Sequence, residues 1–138
     1  MANDSAASAA AVKLASDFLT RVWGPKHEVD VIDDLMAPDY VIHSGGRTIR
    51  GRQAFKAWVI DFHRQMPEAL DEVLDVFANA SGDRVVARWV NRGINNGVFG
   101  LPPDGKAIEF HGISVWHVRS GRLAECWVER EPPRYRHG

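Results

Sequence analysis

Residues 110–131, FHGISVWHVRSGRLAECWVERE, constrain the fold more than any other stretch of the chain. Two runs rich in Ile, Val, Trp and Phe flank Arg119-Ser120-Gly121, a turn signal, and together they read as a long antiparallel hairpin. The stretch also holds two of the six His, the only Cys, two of the five Trp and three Glu, so much of any chemistry is expected on one face of this hairpin.

The segments before it set what the hairpin packs against. Ala11, Ala15, Phe18, Leu19 and Val22 recur at helical spacing, with Asp4 or Ser5 able to cap the helix and Gly24-Pro25 ending it. A shorter helix is predicted over 29–36, with Ile32, Leu35 and Met36 inward, broken by Pro38. Residues 39–43 read as a short strand followed by a loop at Gly45-Gly46. Beyond Gly51, Phe55, Trp58, Val59, Phe62 and Met66 form one stripe of a third helix that stops before Pro67. Residues 70–78, 84–95, 106–118 and 122–130 alternate or run apolar as strands, with a turn at Ser81-Gly82-Asp83. Helices first and antiparallel strands afterwards predict an α+β domain in which helices cover one face of a curved sheet. A chain of 138 residues closes as one domain, residues 1–138, with 132–138 expected as an extended tail.

A formal net charge of −1, from 17 basic and 18 acidic residues, gives no reason to expect a polyanionic partner, and nucleic-acid binding is not expected. The opening MANDSAASAAAVKLASDF has neither a basic leader nor an uninterrupted apolar run. Neither a secretory signal nor a membrane span is expected from it, which makes the expected location cytoplasmic. One cysteine makes no intramolecular disulfide, so Cys126 is either a buried apolar residue or a lone thiol. No HxH, HExxH or CxxC spacing, no Gly-rich phosphate loop and no nucleophile elbow occurs, so neither a metal nor another cofactor is expected.

Ala37-Pro38-Asp39-Tyr40, Gly82-Asp83-Arg84-Val85-Val86, the loop Gly100-Leu101-Pro102-Pro103-Asp104-Gly105-Lys106, and Gly121-Arg122-Leu123-Ala124-Glu125 resemble, in kind and order, the SnoaL-like polyketide cyclases of the nuclear transport factor two-like superfamily. The resemblance covers nearly the whole chain. It implies a cone-shaped α+β barrel, a curved mixed or antiparallel sheet wrapped around N-terminal helices with a cavity between them, and a homodimer through the outer sheet face. Relatives of that kind include cyclases, isomerases, epoxide hydrolases, dehydratases and binding modules without catalysis, so fold alone does not give the reaction. The family's acid/base pair, a His and an Asp, would stand seven residues either side of Gly121, where this chain has Ser114 and Val128.

Strand alternation then assigns the faces. A three-residue turn with Gly121 left-handed pairs Val118 with Arg122 and puts Phe110, Gly112, Ser114 and Trp116 on a face with Ala124, Cys126, Val128 and Arg130. His111, Ile113, Val115 and His117 share the other face with Glu125, Trp127 and Glu129, and His111 falls opposite Glu129. That second face is the outer one by the resemblance, so its His–Glu set reads as part of a subunit interface. By the same resemblance His43, at the end of its strand, is expected to point into the cavity as the proton-transfer group, the alternative being a structural histidine satisfied by its neighbours. Arg88, alternating with Val86 and Val90, is expected inward, paired either with negative charge on a substrate, which it would stabilise, or with a protein carboxylate, and Ser114 is expected as a hydrogen-bond partner. Trp23, Trp58, Phe62, Trp116, Cys126 and Val128 would line the site of a small hydrophobic ligand. Two functions stand open: acid/base chemistry of the cyclase or isomerase kind on an apolar carbonyl-bearing substrate, or a binding module for a hydrophobic ligand. A hydrolase or dehydratase of the same fold is a further alternative.

Overall fold

The computed structural model describes residues 2–136, with side chains from Ser5 onward. Ala11, Ala15, Leu19 and Val22 are buried to 2% exposure or less. They lie on α1 (Ala2–Asp17) and the π-helical turn Phe18–Val22 that continues it. Because α1 already runs from Ala2, neither Asp4 nor Ser5 is its cap, and the side chain of Asp4 lies outside the described residues. A 3-10 turn at Val29–Val31 and the single-turn α2 (Ile32–Leu35) take the place of the longer second helix. Met36 instead opens strand β1 (Met36–Ser44), because the residue before a proline is driven to extended backbone and Ala37 precedes Pro38.

A four-residue strand, β2 (Arg47–Arg50), occupies the end of the expected loop and turns back on β1. Its charged sequence hides it from an apolar pattern, yet such residues suit the edge of a sheet, which is where it lies. The helix α3 (Arg52–Gln65) buries Phe55, Val59 and Phe62 as its stripe predicts. Four long strands follow: β3 (Leu70–Ala78), β4 (Arg84–Ile94), β5 (Ala107–Arg119) and β6 (Arg122–Arg130). The tail is not wholly unpaired, for Arg134–Tyr135 form a short β7 against β5. The seven-stranded sheet runs β2-β1-β6-β5-β4-β3 with β7 on the flank of β5, and only the β1–β6 pair is parallel. Curved and unclosed, it wraps the helices as an α+β cone.

The β5–β6 turn differs from expectation in a way that matters. It is a two-residue turn, with both Ser120 (φ 51°) and Gly121 (φ 73°) left-handed, pairing Arg119 with Arg122. Left alone, that register would have exchanged the faces of β6. A bulge at Ala124 moves the pairing by one more residue, so that Trp116 opposes Cys126, Ser114 opposes Val128 and Ile113 opposes Glu129. The faces are those predicted, but the partners are displaced: His111 meets the backbone of Glu131, not Glu129.

On the concave side one close approach stands out. A Cβ added to Gly112 would come within 2.4 Å of the Trp89 ring, because the indole lies flat over that stretch of bare backbone. Gly112→Ala should therefore lower stability by about 1–3 kcal/mol, the usual cost of overpacking a filled core. Chemical denaturation of both proteins measures it, with an unchanged midpoint contradicting the contact.

Candidate functional site

Registered strands place concave residues in rows. Val76, Ala87, Ser114, Val128 and Ser44 form one row across β3, β4, β5, β6 and β1. Beside it Val73, Trp89, Gly112 and Arg130 form a second, and Asp71, Asn91 and Phe110 a third. Over these rows α3 and the helical turn after α1 lay Trp23, Phe55, Trp58 and Phe62. Between them is an inner chamber of about 70 Å³. Six residues, among them Ile42, Trp58 and Arg130, also line an outer cleft of about 490 Å³, so the chamber opens into it.

The walls are rings packed edge to face, as in Trp23–Phe62 (5.1 Å, 88°) and Phe99–Phe110 (5.2 Å, 77°). Phe99 reaches its place from the loop after β4 with its own backbone left-handed at φ 55°. Asn95 holds that loop, donating from Nδ2 to the Pro102 carbonyl at 2.9 Å and to Asp104 Oδ1 at 3.1 Å.

Few polar groups interrupt this surface. Asp71 accepts a 2.6 Å hydrogen bond from Asn91 Nδ2, and burial pushes its carboxyl up to about 8, the hydrogen bond only partly offsetting that rise. The carboxyl is therefore largely protonated at neutral pH. Ser114 Oγ accepts from the Trp89 indole at 3.0 Å. Beside it the Cys126 thiol is pushed up to about 12 by burial, which makes it an inert wall residue rather than a nucleophile. Burial likewise holds the Tyr40 hydroxyl well above its ordinary range, and neither this hydroxyl nor the Trp116 indole N–H has a hydrogen-bond partner among the described residues. At the mouth, the half-buried Arg130 guanidinium lies 3.8 Å from the Phe99 ring centroid. It makes no ion pair among the described residues.

The six residues expected to line a ligand site, Trp23, Trp58, Phe62, Trp116, Cys126 and Val128, all do line the chamber, and Ser114 lies among them. His43 does not. Ile42 and Ser44 take the inward positions of β1, which sends His43 to the convex face, where its Nε2 meets Glu125 Oε2 at 2.7 Å and its ring stacks on Trp127. Arg88 is exposed on the same convex face, because β4 turns Val85, Ala87 and Trp89 inward. His63, which packs edge-on against Trp23 without lining the chamber, stacks on His27 at 3.7 Å and is pushed down to about 4 by burial and by that neighbour, so it is uncharged at neutral pH. Sequence reasoning gives no role to Asp71, Asn91, Tyr40, Phe99 or Arg130, although strand alternation puts Arg130 on the face that proves concave. Among the described residues no group of three or more His, Cys, Asp or Glu could hold a metal ion, and no helix is long and apolar enough to cross a membrane.

A single unclosed sheet curled over helices around an aromatic cavity is the architecture of the cone-shaped, nuclear transport factor two-like α+β class. Within that class the chain belongs to the SnoaL-like domain family, whose model matches residues 15–126. The structure of a protein from Jannaschia sp. CCS1 named as a SnoaL-like polyketide cyclase superposes with a TM-score of 0.80 at 19% identity, over 90% of this chain and 87% of that one. IdmH from Streptomyces antibioticus, named as a polyketide cyclase, gives 0.73 at 23% identity over 88% and 91% of the two chains. AclR from Streptomyces galilaeus, named as a hydroxylase, gives 0.75 at 19% identity over 90% of each. At such identities the likeness is one of fold. No curated protein sequence matches the chain.

The raised carboxyl of Asp71 has a consequence for stability. Folding favours its protonated form, so the folded state holds the extra proton between the ordinary carboxylate value of 3.8 and about 8, and stability falls as pH rises through that window. Asp71→Asn, which resembles the neutral acid, should leave the melting temperature nearly unchanged at pH 4 and raise it by roughly 2–5 °C at pH 8.5. Differential scanning calorimetry at the two pH values checks the sign.

Proposed function

We propose that the protein is a small-molecule enzyme that uses Asp71 for proton transfer on an apolar, carbonyl-bearing substrate held in the aromatic chamber. The observation that carries this reading is a single carboxyl group in a wall made mostly of aromatic rings, hydrogen-bonded to Asn91 and held largely protonated at neutral pH by burial. A protonated carboxyl there serves as general acid. It gives its proton to a substrate carbonyl oxygen while an enol carbon of the same molecule attacks the carbonyl carbon. As the new carbon–carbon bond closes the ring, the enol hydroxyl returns a proton to the carboxylate. Product and substrate are isomers, so nothing is consumed. Ser114 offers a hydrogen-bonding hydroxyl on the chamber wall, and the surrounding rings exclude water.

With a panel of aromatic ketones and lactones bearing enolisable side arms, Asp71→Asn should lower kcat by about a hundredfold or more, the scale of a lost general acid. KM should change little, and wild-type kcat should fall above about pH 8. His43→Ala should stay within about threefold of wild type, since His43 faces away from the chamber. Wild-type turnover in Asp71→Asn would sink the assignment. Ser114 and Val128 stand where the family's resemblance places an acid/base pair, and this favours a second reading, a binding module. Panel members that raise the melting temperature of the wild type yet are never turned over by it would support that reading.

The proposal includes a homodimer through the convex face. Phe77, Val86, Val115 and Trp127 form a cross-strand apolar row there, with Phe77 54% and Trp127 40% exposed and Ile113 (44%) close by. Phe77→Asp together with Ile113→Asp should convert a dimer to a monomer in sedimentation velocity. A wild type that sediments as a monomer removes this part of the proposal.

A further inference from the structure

The cation at the mouth of the chamber bears on what the substrate carries. Arg130 sits opposite Gly112 in the row that Trp89 crosses, and the missing side chain of Gly112 leaves the concave surface there to the indole and the guanidinium. Its guanidinium is seated against aromatic rings. Cζ lies 3.8 Å from the Phe99 ring centroid and 5.8 Å from that of Phe110. On the opposite strand connection, Nη2 comes within 3.7 Å of where a Cβ of Gly45 would be. Stacking on aromatic faces holds a guanidinium in one plane while leaving its N–H edge free.

That edge has no partner among the described residues. Among the described residues Arg130 makes neither an ion pair nor a side-chain hydrogen bond, and burial lowers its proton affinity below the ordinary arginine value. Leaving a half-buried cation uncompensated is costly unless a ligand supplies the counter-charge. The other charges of the outer cleft do not supply it. Arg47 adds a second positive charge, and Asp61 is engaged by Arg64 and Gln65 on its own helix. Asp71, the one acid of the inner chamber, is largely uncharged at neutral pH. An apolar interior thus ends in a cationic rim.

We propose that the natural substrate is an aryl or polycyclic carboxylate, its ring system seated in the aromatic chamber and its carboxylate paired edge-on with Arg130 at the chamber mouth. This rests on the reading of the chamber as the substrate site and adds the class of molecule it accepts. A carboxylate matches the planar two-donor edge of a guanidinium, and in a site walled by rings such a charge-assisted pair is stronger than a neutral hydrogen bond.

Isothermal titration calorimetry at pH 7 with 2-naphthoate, 2-naphthamide and methyl 2-naphthoate tests the pairing directly. The wild type should bind naphthoate at least about tenfold more tightly than either neutral analogue. Arg130→Gln should abolish that preference while keeping amide affinity within about threefold. Asp71→Asn should retain the preference, which separates this inference from the proton-transfer reading: loss of turnover with the preference intact leaves both standing, and a preference without any turnover leaves only this one. Equal affinity for acid and amide in the wild type, no measurable binding of any of the three, or a preference that survives in Arg130→Gln overturns the proposal. If Arg130→Gln proves unfolded in its melting curve, Arg130→Lys keeps the charge without the planar fork. It should then show a reduced preference, and an undiminished one overturns the proposal.

Discussion

The indole of Trp89, laid across the bare backbone of Gly112, is the contact on which the concave side depends. Its ring occupies the space a side chain on β5 would have filled, and its N–H, carried inward by that pose, finds Ser114 Oγ at 3.0 Å. With the indole flat, Phe110 packs edge-on against it at 5.7 Å, and Phe99 and Phe62 continue the array. Rings that meet edge to face tile a curved surface without filling it, so a chamber is left where a close-packed aliphatic core would have none. The same array carries Arg130 on its outer edge.

Electrostatics in such a chamber is governed by scarcity. Counter-charges are few, so a titratable group there either finds a partner or shifts its proton affinity. Asp71 does the second despite Asn91, and Arg130 stays charged because a guanidinium yields its proton only at extreme pH. The chamber therefore presents a neutral acid on β3 and an unneutralised cation on β6, with two strands between them. Stability is given up at both positions, as is common where a surface is shaped for something other than itself.

Most of the framework was legible in the residues. The stripe on α3 and the run of strands from Leu70 follow from period, the two faces of the hairpin come out as read only because the bulge at Ala124 offsets the shorter turn, and all six expected lining residues line the chamber. The chemistry was less legible. Both alternations of β4 carry apolar residues, Val85-Ala87-Trp89 on one and Val86 and Val90 on the other, so the charge of Arg88 is the one local sign that its face is the outer one, and the reading that turns it inward is wrong. Asp71 sits in a segment with Glu72 and Asp75 that reads as solvated, and only its register opposite Asn91, set by long-range pairing, shows otherwise. A clue did exist, since Asn91 keeps phase with Trp89 and Ala87 and its strand neighbour had to satisfy it. For His43, the inward phase of Tyr40 and Ile42, exposed at 0% and 8%, was the available signal.

The hairpin's two irregularities, a turn shorter than expected and the bulge at Ala124, each displace β6 by one position, and together they restore its facing. A lineage of such proteins is thereby restricted in how its length can drift. Deleting or inserting one residue at Ser120-Gly121, or losing the extra residue at Ala124, would by itself send Cys126, Val128 and Arg130 to the convex side and Glu125, Trp127 and Glu129 into the chamber. A one-residue change in length at the turn or in the strand keeps the faces only when a second one compensates it, so the hairpin inherits its irregularities as a unit.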